Sequence, residues 1–232
     1  MELNQIYKKL YDFYGSQGWW PVIIENRQGL TDDNGYHKNN PVLTVSSIDK
    51  YEITAGAVLT QNTNWKNVSA SLTELKKNKI YTADYFIEAD ETLIKSIIKK
   101  TGYYNQKYLK LKMLFEYMKS LNVFEHPENL TREALLSRYG IGEETADSIL
   151  LYAFNRPVFV IDAYTKRFLY RLNNIKYKTY KEYSDLFMNN IKCDIEIYNE
   201  YHALIVRHSV DICRKKPLCS SCFLEPECIN RE

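Results

Sequence analysis

The sequence predicts an all-α protein. Turn-forming residues are scarce, with 8 glycines and 6 prolines in 232 residues. The stretches between them are rich in Leu, Ile, Lys and Tyr, with apolar positions at helical spacing. Hydrophobic residues make up 45% of the chain, enough to bury the core of one large domain or two small ones.

In chain order, residues 3–14 read as a short amphipathic helix with Ile6, Leu10 and Phe13 on one face. Gly15 to Pro21 is a joint that contains Trp19 and Trp20. The polar stretch 25–40, with Asp32-Asp33-Asn34-Gly35, reads as a loop. From Ser47 to about Arg171 the pattern is of consecutive helices. Joints are expected near 62–65, 78–82, 101–105, 126–129 and 140–142. A short apolar extended run, Val158 to Ile161, interrupts the helices and ends at Asp162. Further helix is expected up to His208.

The net charge of +2 neither demands nor excludes a polyanionic partner. The lysine clusters 76–79 and 95–112 suit solvated helix faces. No segment has the length and apolarity of a membrane span or the pattern of a signal peptide, so a cytoplasmic protein is expected.

Four of the five cysteines fall in the last twenty residues: Cys213, Cys219, Cys222 and Cys228, spaced C-x5-C-x2-C-x5-C. A zinc ribbon pairs two C-x2-C knuckles across a long spacer; here one tight pair is flanked by single cysteines. Such a loop suits four thiolates on one [4Fe–4S] cluster, with zinc or two disulfides as the alternatives. Arg214, Lys215 and Lys216 are placed to offset the negative charge. Cys193 stands apart and is expected to be a buried apolar filler.

Residues 131–155 form a probe of a different kind. A helix is expected to end at Tyr139, and Gly140-Ile141-Gly142 to make a tight turn. A second helix then buries Ala146, Ile149, Leu150 and Ala153, with Glu143 and Glu144 favourably placed in its first turn. A glycine turn that opens a helix exposes backbone amides able to hold a phosphate oxygen. It is equally the signature of a plain helical hairpin. Asp162, between the extended run and the helix from Ala163, has two readings as well: an N-cap, or a fixed carboxylate that stabilises a cationic transition state or activates water.

The glycine hairpin, the aspartate twenty residues on and the C-terminal four-cysteine loop occur here in one order. Together they resemble the endonuclease III family of helix-hairpin-helix DNA glycosylases over roughly residues 47–228. The resemblance implies the two-lobed helix-hairpin-helix glycosylase fold, with a helical barrel at 51–159, a second lobe from 1–50 and 160–232, and a C-terminal iron–sulfur cluster loop at 213–228. It implies double-stranded DNA with a damaged base as the partner, bound across a cleft between the lobes by a monomer. It implies that Gly140, Ile141 and Gly142 bind DNA, that Asp162 is the catalytic aspartate, and that the four C-terminal cysteines ligate the cluster. Gln61, in Leu59-Thr60-Gln61-Asn62-Thr63, falls where family members fill the gap left by a flipped base. The first cysteine spacer is five residues where typical endonuclease III has six. In bifunctional members a lysine nucleophile stands two residues after the second hairpin glycine. Glu144 occupies that position and is grouped with Asp162 as a catalytic-site candidate; a carboxylate cannot form an imine. Trp19-Trp20-Pro21, Ala57 to Thr63, Gly102 to Lys107 and Gly140 to Asp147 resemble the bacterial 3-methyladenine glycosylase branch, whose best-known member lacks a cluster. The resemblance implies a monofunctional glycosylase for alkylated purines, with Trp19 and Trp20 in the base pocket, where stacking and cation–π attraction add; core packing is the alternative for both. The competing functions are a bifunctional glycosylase/lyase on oxidised pyrimidines and a non-catalytic DNA-binding module.

Overall fold

The computed structural model describes residues 2–25, 31–38 and 45–231. Residues 26–30 and 39–40 of the expected loop 25–40 lie outside the described residues. The described residues are helical with no strand, and they divide into two compact units.

The first unit takes residues 2–19, 38 and 156–231. Its helices are α1 (Leu3–Tyr14), α9 (Ala163–Asn173), α10 (Tyr180–Asn190) and α11 (Ile195–Asp211), packed as α1 on α11 and α11 on α9. Phe159 stacks on Phe187 at 3.8 Å, and Tyr198 and Tyr201 meet Phe159 edge-on. Ile6 and Leu10 of α1 are buried as expected, but Phe13 is exposed and stacks on Phe223 instead. The expected extended run 158–161 is irregular backbone, buried from Phe159 to Ile161. Cys193 is exposed, not buried: it falls in the turn between Ile191 and the N-cap Asp194, where no apolar face passes.

The second unit takes residues 20–25, 31–37 and 45–155. It holds α2 (Ser47–Leu59), α3 (Trp65–Lys77), α4 (Ala83–Glu88), α5 (Glu91–Ile98), α6 (Tyr104–Ser120), α7 (Arg132–Leu136) and α8 (Glu143–Ser148), the last continued by a π-helical turn, Ile149–Ala153. A capping box at Ser46 and Asp49 starts α2. This helix is buried almost all round, the property of a central helix. Tyr51 packs on Phe86 and Phe115. The joint at Ala89-Asp90 carries no glycine or proline; Asp90 makes it by capping α5.

Residues 20–25 fold with this unit because Glu52, fully buried on α2, accepts the N–H of Ile23 at 2.6 Å and of Ile24 at 2.7 Å. Trp20, 8% exposed, packs against Trp65 and Tyr152. Gly56 makes room for it: a Cβ there would lie 3.2 Å from the indole nitrogen. Burial pushes the Glu52 carboxyl up to about 7, against the pull of the two amides. The folded protein therefore holds a proton that the unfolded chain, titrating near 4.5, has already lost. Stability from this group falls as pH rises from about 4.5 to about 7, by up to about 1.4 kcal/mol per pH unit. In urea titrations across this window, Glu52→Gln should remove that part of the slope. An unchanged slope in the variant would refute the assignment.

Among the described residues, no helix is long and apolar enough to cross a membrane.

Candidate active site

In the first unit the expected helix begins where the sequence places it. Asp162 is the N-cap of α9, and its Oδ1 accepts the amide of Thr165 at 2.7 Å. Its other oxygen, Oδ2, lies 3.6 Å from Nε2 of His202, on α11. Burial, with the side chain 13% exposed, disfavours the charge. The His202 ring, 3.6 Å away, joined by the Thr165 amide, outweighs it and holds the carboxyl below its ordinary range. The aspartate is thus both a cap and an ionised, largely enclosed carboxylate. His202 also meets the half-buried ring of Trp19 edge-on, at 5.9 Å between centroids. Trp19, His202 and Asp162 therefore form one contiguous set. No sequence signal marks His202, one of two histidines on the buried helix α11.

The neighbouring tryptophans part company: Trp19 goes with the first unit and Trp20 with the core of the second.

In the second unit, Gly140 turns the chain with φ +71°. A side chain there would collide with Lys110. Gly142 is the N-cap of α8, and Ile141 between them is buried. Arg132 grips the fully buried Asp147 through Nε at 2.6 Å and Nη2 at 3.0 Å, a bidentate pair that clamps α7 to α8. The Gln61 amide nitrogen donates to Gly140 O at 3.2 Å and Thr145 Oγ1 at 3.0 Å, and its oxygen accepts from Lys110 at 2.7 Å. Gln61 is thereby tied to the hairpin. Glu144 is exposed on the first turn of α8. Lys107, from the segment 102–107, is 2% exposed. It closes the ends of two helical segments by donating to Leu59 O and Thr101 O. Burial lowers its amine to about 8.

The four C-terminal cysteines are free thiols lining one concavity, with Phe168, Leu172 and His208 behind them. Burial pushes the Cys222 thiol up, and Cys213, Cys228 and Cys219 add to this by mutual repulsion. Among the described residues, no three His, Cys, Asp or Glu side chains converge as a single metal ion requires. Four sulfurs line one concavity, a donor set that a Cys₄-ligated group requires. The cation beside them is not one of those expected. The side chains of Arg214, Lys215 and Lys216 are exposed. Arg171, on α9, reaches in with Nη1 3.7 Å from the Cys213 sulfur and donates to the carbonyls of Cys213 and Lys215. Its place in the last turn of α9 gave no hint of this contact. His208 joins Tyr14, at 3.1 Å, to the Cys222 sulfur, at 3.5 Å.

Comparison with known proteins agrees with this geometry. The "Putative DNA repair glycosylase MJ1434" of Methanocaldococcus jannaschii is 39% identical over 237 residues, covering 99% of this chain and 96% of that one. Among solved structures, the Helicobacter pylori 3-methyladenine DNA glycosylase MagIII bound to 1,N6-ethenoadenine is 26% identical with a TM-score of 0.71, over 90% of this chain and 98% of that one. A non-covalent endonuclease III–DNA complex is 18% identical and shares the fold, with a TM-score of 0.75 over 98% and 94%. Residues 55–193, which include the hairpin and Asp162, match the family profile described as HhH-GPD superfamily base excision DNA repair protein. This chain therefore belongs to the HhH-GPD superfamily, and it is a base-excision-repair DNA glycosylase.

Proposed function

We propose that the protein is a monofunctional glycosylase that releases alkylated purines such as 3-methyladenine from double-stranded DNA. The observation that carries this reading is the set Trp19–His202–Asp162. It places an aromatic face and a carboxylate kept ionised within reach of one another. The H. pylori structure supports the substrate class, since that protein is named for 3-methyladenine and holds an ethenoadenine.

The chemistry asks little of the protein. An N-alkylated purine carries a positive charge, so the C1′–N bond breaks with its electron pair neutralising the departing base. The sugar is left as an oxocarbenium-like cation. The Asp162 carboxylate stabilises that cation. Water then adds to C1′ and gives its proton to the carboxylate. Trp19 takes the flipped base by stacking, while Trp20 anchors the adjoining segment in the core of the second unit. Of the Gly140-Ile141-Gly142 turn, Gly140 and Gly142 offer backbone amides to a phosphate, the N–H of Ile141 being donated to Arg138 O at 3.2 Å, and Gln61, held against this turn, faces the DNA with it. Glu144 occupies the position of the imine-forming lysine and offers no amine. We also propose that Cys213, Cys219, Cys222 and Cys228 hold a [4Fe–4S] cluster, with Arg171 offsetting its charge. The cluster, when bound, supplies a rigid cross-link for the C-terminal loop.

The protein should be incubated with methylated duplex DNA and with duplexes containing thymine glycol or uracil. Released bases are identified by chromatography and strands are sized before and after alkali. Release of 3-methyladenine is expected, with strand breaks only after alkali and little trapping by borohydride. Release of thymine glycol or uracil without methylpurine would overturn the substrate; strong trapping would overturn the monofunctional reading.

A further inference from the structure

Helix α11 sends several polar side chains into the interior of the first unit, Glu200 and His202 among them. Glu200, fully buried, accepts the Ser16 hydroxyl at 3.0 Å, the Gln17 amide at 2.7 Å and the Gly18 amide at 3.0 Å. These three residues lead directly into Trp19, so the approach to that ring is fixed from α11. His202, 4% exposed, lies between the same tryptophan and the carboxylate. Its ring is 81° to the indole plane, and its Nε2 faces Asp162 Oδ2.

We propose that His202 is a positioning residue of the active site, setting the orientation of Asp162 Oδ2 and its distance from the aromatic face of Trp19. This rests on the reading of Asp162 as the group that acts on the sugar. The argument is one of degrees of freedom. Oδ1 is committed to the Thr165 amide, so the carboxylate can still swing about that bond. The His202 ring, with Nε2 3.6 Å from Oδ2, restricts that swing and favours the ionised form. The Trp19 contact fixes the imidazole from its other side. Loss of His202 would leave the helix cap intact and the carboxylate free to turn away, which acts on the chemical step more than on DNA binding.

The test uses three variants of the full chain: His202→Leu, His202→Gln and Asp162→Asn. Single-turnover release of 3-methyladenine from methylated duplex DNA is measured, together with binding to an abasic-site duplex. The Asp162 carboxyl is titrated by 13C NMR in the absence of DNA. His202→Leu is expected to slow release by about tenfold to a hundredfold, less than the loss of a direct transition-state contact, with binding changed by less than about threefold. His202→Gln, which can return an N–H to the same place, should recover most of the rate. In His202→Leu the Asp162 carboxyl should titrate at higher pH than in the parent. A parental rate, an equal loss in His202→Gln, or a loss confined to binding would overturn the proposal. So would an unmoved Asp162 titration, which needs no substrate and stands even where His202→Leu melts early, since His202→Gln gives the companion value. Full activity in Asp162→Asn would instead overturn the underlying reading of the aspartate.

Discussion

Asp162→Asn is expected to abolish base release, by at least about a hundredfold, while leaving DNA binding and the thermal midpoint close to the parent. The size follows from removing a charge placed where positive charge develops, about 3 kcal/mol or more of transition-state stabilisation. The specificity of the test follows from the cap. Asn serves at a helix N-cap about as well as Asp, and the oxygen that accepts the Thr165 amide is retained. The substitution therefore leaves the structural role and deletes the electrostatic one. Asp162→Ala would confound the two, at a further cost of about 1 kcal/mol for the lost cap. A folded Asp162→Asn protein that excises at the parental rate would reduce the residue to a cap.

Cys222→Ser is expected to have the largest effect on stability. Between residues 213 and 231, Leu224 alone is fully buried. Apolar burial therefore does little to hold this segment, and ligation must do the rest. Loss of a cross-link worth about 3–5 kcal/mol lowers the midpoint by roughly 10 °C or more in a chain of this size. The variant should be cut by protease near the C-terminus, where the parent resists. The parent, purified without oxygen, should be brown with about four irons per chain. A colourless protein with one zinc would reject the cluster, and a Cys222→Ser variant with an unchanged midpoint would reject its structural role.

What the sequence showed most clearly was whatever depends on neighbours along the chain. The Gly140–Gly142 turn, the start of α9 at Asp162, α1 and the cysteine loop all follow from short-range patterns of backbone angle, capping and spacing. What it concealed depends on partners brought together from afar. Glu52 and Glu200 look like surface glutamates in helical stretches, yet both are fully buried because backbone amides 28 to 183 residues away meet them. His202 and Arg171 are hidden for the same reason. Trp19 and Trp20 could not be told apart either, because adjacent residues point in different directions and nothing local says which direction leads to the core.

The π-helical turn after the hairpin bears on how that spacing is counted. A π turn takes up one more residue than an α turn, so the chain beyond Ala153 runs about 100° out of phase with the helix that starts at Glu143. Apolar periodicity read from the hairpin cannot be carried past it. The twenty residues from Gly142 to Asp162 thus include one that lengthens the path without lengthening the ladder. A relative with nineteen residues in this interval has lost either the bulge or one residue of the irregular backbone between Phe154 and Asp162, and the count alone does not separate the two.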